Sequence, residues 1–239
     1  MKCIILAAGY ATRLYPLTEN FPKPLLPVGG KPILDWLIDD LSPVIDEFIA
    51  VTNHKFAHHF YDWARGRNIQ VIDDGTDTNE KRLGAVKDIQ LATDGLDDDA
   101  LVMAGDNVLS FSITPFIRYA LNKGTPCVMC HDENRLAALR RTAVITVDSN
   151  DMITSYEEKP QNPKGNLAVP PFYYYRMQDM LRIPEALADG CGSDAPGSFA
   201  AWLSNIEPMH AWHMPGFRYD VGDMASYEGI RTSYRGPNL

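Results

Sequence analysis

Apolar positions in the first half of the chain fall into short unbroken runs separated by longer amphipathic stretches. The run Ile4-Ile5-Leu6-Ala7-Ala8 has no alternation and stops at Gly9, the pattern of a strand covered on both faces in a parallel sheet. Similar runs predict strands near 2–8, 46–52, 69–73 and 100–105, and the amphipathic stretches predict helices near 31–41, 55–65, 83–93 and 113–122. Two helix starts carry local signals: Lys31-Pro32 puts a proline in a first turn, and Asn53 is a cap for the next helix. Beyond residue 125 the apolar runs crowd together, predicting strands at 126–130, 142–147, 152–157 and 168–175, with Asp148-Ser149-Asn150-Asp151 as a turn between two of them. Helices are predicted near 177–188 and 223–234, and the glycines and proline between Asp189 and Gly197 form a loop. The predicted class is α/β: a Rossmann-like, mostly parallel mixed sheet with helices on both faces, plus a small strand-rich lobe.

A chain of 239 residues with 45% hydrophobic content can bury one full core, so a single domain over 1–239 is expected, with 1–125 and 126–239 as its halves. The net charge of -9 argues against nucleic acid or an anionic membrane surface as partner. No run of 18 apolar residues occurs and the N-terminus enters a strand at once, so a soluble, cytoplasmic protein is expected. Cys3, Cys127, Cys130 and Cys191 are too few and scattered for a disulfide framework and are expected as reduced thiols. His54, His58 and His59 lie on an amphipathic segment with no carboxylate or thiol at ligand spacing and read as a solvated helix face; Gly95-Leu96-Asp97-Asp98-Asp99 reads as a solvated turn.

In so acidic a chain, an anionic ligand must be held by a local basic cluster. Gly9 and Ala11 leave little side-chain bulk after the first strand, so backbone N–H groups can approach phosphate oxygens, and Arg13 and Lys23 supply positive charge. That is the sequence form of a polyphosphate site. The strand at 100–105 ends at Asp106-Asn107, where ligands of an open parallel sheet collect, although an aspartate there can equally cap a turn. A dinucleotide fingerprint fails because Ala11 and Leu14 stand where two of its glycines belong. A Walker A loop fails at Leu25 and Pro32, and no G-x-S-x-G is present.

The segment from Ile4 to Pro32 resembles the signature of the sugar-phosphate nucleotidyltransferases, an apolar strand followed by G-x-G-[ST]-R-L-x-P-x-T and then P-K-P-[LM]. Gly9, Thr12, Arg13, Leu14, Pro16, Thr18, Pro22, Lys23 and Pro24 stand in those places, with Ala11 at the second glycine. Three later segments match as well: Gly105-Asp106-Asn107, Tyr156-Glu157-Glu158-Lys159-Pro160, and Arg218-Tyr219-Asp220-Val221-Gly222-Asp223 where the family has W-x-D-[IV]-G-[TD]. The resemblance implies Mg2+ bound by Asp106 and Asp220, catalytic roles for Arg13 and Lys23, and nucleotide binding by Leu6, Ala7, Ala8, Gly9, Tyr10, Ala11 and Thr12. It implies acceptor binding by Asn107, Glu158 and Lys159, with the glutamate on sugar hydroxyls and the lysine on the sugar phosphate. Asp223 is expected to cap the last helix. In relatives the loop beginning at Asp73 recognises the base; Gly84 and Ala85 fit its ending, no glutamine is present, and Asn79 or Arg82 is left for that contact.

The implied partners are an NTP and a phosphorylated small-molecule acceptor, with no nucleic acid or membrane, for a monomer or small homo-oligomer. The implied reaction passes an NMP group to a sugar 1-phosphate and releases pyrophosphate. Two alternatives remain open on the sequence. A cytidylyltransferase for a non-sugar phosphomonoester, phosphocholine-like or amide-linked, is motivated by Pro170-Pro171-Phe172-Tyr173-Tyr174-Tyr175, which is either an aromatic wall for a quaternary ammonium or packed core. A catalytically silent nucleotide-binding relative is the other.

Overall fold

The structure is a computed structural model that describes residues 1–237. The fold is α/β and Rossmann-like with a mixed sheet, as predicted, and the chain packs as two compact units. The first comprises residues 1–83, 104–114 and the segment from Pro215; the second comprises 84–103 and 115–214.

In the first unit, strands Lys2–Leu6, Glu47–Thr52 and Ile69–Asp73 pair in parallel, with Leu6 opposite Val51 and Thr52 opposite Asp73. Cys3, Ile4, Ile5, Ala50 and Val51 are fully buried, which is why their sequence shows no alternation. Helix Ile33–Leu41 buries Ile33, Leu34, Leu37, Ile38 and Leu41, a single 3.6-period face. Pro32 lies just ahead of this helix in extended conformation instead of within its first turn, because Lys31–Pro32 pairs with Pro27–Val28. Asn53 caps as expected: its side-chain oxygen accepts from Phe56 N at 3.0 Å, and its Nδ2 also donates to Ala8 O at 2.9 Å. A separate antiparallel pair joins Asn107–Leu109 to Arg218–Asp220, placing Asp220 opposite Asn107. Val108 and Val221 beside it share a buried cluster with Leu14, Leu26, Val28, Ile33, Tyr227 and Tyr234. Thus three sequence-distant segments build one core, and helix Met224–Arg231 is capped by Asp223, which accepts from Ser226 N at 2.8 Å.

The second unit is largely antiparallel. Leu167–Val169 lies between Cys127–Asp132 and Ala143–Val147, the latter pairs with Ile153–Glu158, and Phe172–Tyr175 pairs with Cys127–Asp132 on one side and Ala100–Met103 on the other. His210–His213 adds a parallel strand beside Cys127–Asp132. The strand expected over 168–175 is two strands, broken at Pro170-Pro171, where two missing N–H groups and two fixed φ angles stop the ladder. The helix expected over 177–188 is likewise two, Met177–Met180 and Ile183–Ala188, with Pro184 in the first turn of the second. Short elements without a strong sequence period, such as helix Gly197–Leu203, were not anticipated. Phe172 through Tyr175 are all buried, so the aromatic wall is packed core. Asp99 is not part of a solvated turn: it accepts from Tyr174 Oη at 2.5 Å and Met177 N at 2.8 Å, serving a phenol that burial obliges to find a partner. All four cysteines are free, and burial pushes the Cys127 and Cys130 thiols up to about 12. No helix among the described residues is long and apolar enough to cross a membrane.

Candidate active site

The first strand ends at Leu6, and Ala7 N still bonds Val51 O at 2.8 Å before the chain turns away through Ala8, Gly9 and Tyr10. The turn is pinned from three sides. Asn53 holds Ala8 O, Tyr10 Oη donates to Thr76 O at 2.8 Å, and Thr18 Oγ1 donates to Ala11 O at 2.8 Å. Gly9 has open space where a side chain would project, which leaves its backbone approachable by a ligand. Ala11 adopts φ 47°, in the left-handed region, and a short turn over Thr12–Leu14 follows, with Leu14 buried and Thr12 and Arg13 exposed. The family's glycine at this position is therefore a conformational requirement that alanine meets under strain. Ala11→Gly is expected to raise unfolding free energy by about 1 kcal/mol, the left-handed strain less the added unfolded-state entropy, as read by urea denaturation. A loss of stability would show that Ala11 is not strained.

Lys23, Asp106 and Asp220 meet. Lys23 Nζ donates to Asp106 Oδ2 at 2.5 Å and to Val221 O at 2.9 Å, while Val221 N bonds Asp106 O at 3.2 Å. The antiparallel pair of Asn107–Leu109 with Arg218–Asp220 sets this up, because it lays the residue after Asp220 beside Asp106. Burial works to raise the Asp106 carboxyl, but the charge and hydrogen bond of Lys23, with help from Arg218, outweigh it and hold it below the usual carboxylate range. Asp220 is pushed the other way, by desolvation and by the neighbouring Asp106 charge, against weaker pulls from Arg218, Lys23 and Arg13. Two carboxylates that repel each other, carried on backbone segments bonded together, form a hard oxygen donor set suited to Mg2+, which takes few protein carboxylates and fills its other positions with water and phosphate oxygens. Among the described residues no group of three or more His, Cys, Asp or Glu side chains has metal-binding geometry.

Asn107, expected at the acceptor, is fully buried: its Nδ2 donates to Asp106 Oδ1 at 2.7 Å and its Oδ1 accepts from Arg218 Nη1 at 2.6 Å. Asn79 lies in a short turn where its backbone and side-chain oxygens accept from Arg82 Nη1 at 3.0 and 3.3 Å.

In the second unit, Gly84 precedes helix Ala85–Thr93 with φ 93°, and an added Cβ would lie 2.5 Å from Ser193 O. Ala85 N and Val86 N are bonded to Asp194 O at 3.3 Å and Ser193 O at 2.9 Å. Sequence reading assigned that glycine-rich loop no role; it is the cap of this helix. Glu158 ends its strand, and Lys159 follows in the left-handed region at φ 48° with its N–H bonded to Thr142 O. Desolvation raises the Glu158 carboxyl, partly offset by Lys159. Its Oε2 rests against Gly197, in space that any side chain there would fill, and Tyr156 Oη lies beside the same point. Gly197 thus leaves the room that the Glu158 carboxylate occupies, a role the sequence pattern of a helix-breaking loop does not reveal.

The family model named Nucleotidyl transferase matches residues 2–235. A bifunctional protein GlmU of Methanocaldococcus jannaschii is 31% identical over 223 residues, covering 93% of this chain and 51% of that one. The chain thus spans about half of that relative's length. A UTP–glucose-1-phosphate uridylyltransferase, AglF, of Haloferax volcanii is 28% identical over 179 residues, covering 73% of this chain and 72% of that one. Among solved structures, a Bacillus anthracis protein described as a glucose-1-phosphate thymidylyltransferase, in complex with sucrose, superposes with a TM-score of 0.84 at 24% identity, covering 98% of this chain and 96% of that one. A UDP-glucose pyrophosphorylase complexed with UDP-glucose gives 0.83 at 18% identity, covering 98% and 97%. These two establish likeness of fold. The four signature segments, the match of the family model along almost the whole length, and the meeting of Lys23, Asp106 and Asp220 agree: the chain belongs to the nucleotidyl transferase family.

Proposed function

We propose that the chain transfers a nucleoside monophosphate from an NTP to a sugar 1-phosphate, releasing pyrophosphate and forming a nucleotide sugar, and that residues 1–239 serve as one catalytic domain. The observation that carries this reading is the contact of Lys23 with Asp106 beside Asp220, which unites a base and two acids from three separate signature segments. A structural role alone requires no such concentration of charge at the end of a strand.

A phosphate oxygen of the acceptor attacks the α-phosphorus, and the bond from that phosphorus to the bridging oxygen of pyrophosphate breaks. The acceptor phosphate, with a second pKa of about 6, is already ionised near neutrality, so no general base is needed. Catalysis then rests on alignment and charge. The backbone from Leu6 to Thr12 and Arg13 receive the β- and γ-phosphates and stabilise departing pyrophosphate, while Lys23 acts at the α-phosphate. Asp106 and Asp220 would hold Mg2+, which would supply Lewis-acid screening of the phosphate charge. Asn79, Gly84 and Ala85 belong to the base-recognising segment, and Glu158 and Lys159 take the sugar hydroxyls and sugar phosphate.

The relative named as a UTP–glucose-1-phosphate uridylyltransferase supports a sugar 1-phosphate as acceptor, and the packed state of Phe172–Tyr175 removes the motive for a quaternary ammonium. The test is a matrix of ATP, CTP, GTP, UTP and dTTP against a panel of sugar 1-phosphates and phosphocholine, scored by pyrophosphate. Acceptor-dependent release with a sugar 1-phosphate is expected. Release only with phosphocholine, or none with any pair, contradicts the proposal.

A further inference from the structure

The sequence departs from the family pattern at Arg218, where the resemblance expects tryptophan. Its guanidinium does not point away from the site. Nη1 donates to Asn107 Oδ1 at 2.6 Å, and the same group stands 3.6 Å from Asp220 Oδ2. Asn107 in turn donates its Nδ2 to Asp106 Oδ1 at 2.7 Å. An amide whose oxygen is held by a guanidinium has one orientation only, with its nitrogen toward the carboxylate. The relay from Arg218 through Asn107 therefore fixes one oxygen of Asp106, while Lys23 holds the other. Asn107 is fully buried and the Arg218 side chain is 21% exposed, so water is a poor substitute for either partner.

We propose that Arg218 is a positioning residue for the cation site: through Asn107 it orients the Asp106 carboxylate, and beside Asp220 it keeps the second acid in register for a shared divalent ion. This rests on the reading of Asp106 and Asp220 as Mg2+ ligands. The sign of its effect separates it from bulk electrostatics. Deleting a positive charge next to two carboxylates should by itself tighten cation binding, whereas deleting the group that orients a ligand weakens it, by about tenfold to a hundredfold in metal sites generally.

The experiment titrates the purified full chain with Mn2+ alone and follows free Mn2+ by electron paramagnetic resonance. Arg218→Leu should bind Mn2+ at least about tenfold more weakly than wild type, and Arg218→Lys, which keeps a charged donor, should recover most of the affinity. Asn107→Ala should weaken binding too, and the double variant should be no weaker than Arg218→Leu alone, because the Asn107 contribution runs through Arg218. Where Arg218→Leu proves unfolded by circular dichroism, the Arg218→Lys and Asn107→Ala titrations carry the test. Unchanged or tighter binding in Arg218→Leu, or additive losses in the double variant, overturns the proposal. Absence of saturable Mn2+ binding in wild type overturns the cation-site reading itself, and this proposal with it; saturable binding lost in Asp106→Asn but kept in Arg218→Leu overturns only the role of Arg218.

Discussion

Lys23→Ala is expected to lower turnover by more than about a hundredfold at saturating substrates, comparable to losing one preorganised charge donor at a developing anion. Lys23 bonds both Asp106 and the backbone oxygen of Val221, so it sits where the strand end carrying one acid meets the segment carrying the other. Its loss removes a positive charge from the proposed phosphate path and takes the ammonium partner from one Asp106 oxygen, while the Asn107 amide still bonds the other. The pair is partly solvated, with side chains 13% and 28% exposed, so the stability cost stays below the several kcal/mol typical of a broken fully buried pair, and the fold survives. The measurement is kcat for the best substrate pair alongside thermal unfolding by circular dichroism. A near wild-type kcat in a folded variant rules out the assigned role.

The second large effect is expected at a residue with no functional group. In Gly197→Ala the new methyl would enter the space held by Glu158 Oε2, and the neighbour that gives way is the mobile end of that side chain, not backbone. The helix Gly197–Leu203 should therefore survive, since alanine is a better helix former than glycine, while the carboxylate is driven from its seat. A carboxylate hydrogen bond to a sugar hydroxyl is worth about 1.5–3 kcal/mol, so the acceptor KM is expected to rise by about tenfold to a hundredfold with the NTP KM unchanged. Steady-state kinetics with each substrate varied in turn decides it. An unchanged acceptor KM, or equal rises in both, would remove Glu158 from the acceptor site.

Much of this was legible in the chain because buried parallel strands write themselves as unbroken apolar runs: the strands at Lys2–Leu6, Glu47–Thr52, Ile69–Asp73 and Ala100–Ala104 lie within a residue or two of their predicted spans. Caps were equally readable at Asn53 and Asp223, since a side chain serving the next turn acts locally. Non-local consequences were not readable. Nothing in Pro215–Asp220 announces that it pairs with Asn107–Leu109, and that pairing brings Asp220 to Asp106 and Arg218 to Asn107. The first compact unit is likewise assembled from distant stretches, with 104–114 and the stretch from Pro215 joining the N-terminal residues. Gly197 was unreadable for a related reason: a glycine made necessary by a carboxylate from another strand carries no local mark of it.

In the proposed reaction the α-phosphorus of an NTP moves onto a phosphorylated acceptor at the centre built from Lys23, Asp106 and Asp220. Tracing the label from an α-32P NTP with a sugar 1-phosphate and Mg2+ tests it most directly. The label is expected to enter a new nucleotide sugar in step with unlabelled pyrophosphate, and Asp106→Asn to abolish both. Label recovered as free NMP regardless of acceptor, or transfer undiminished in Asp106→Asn, would contradict it.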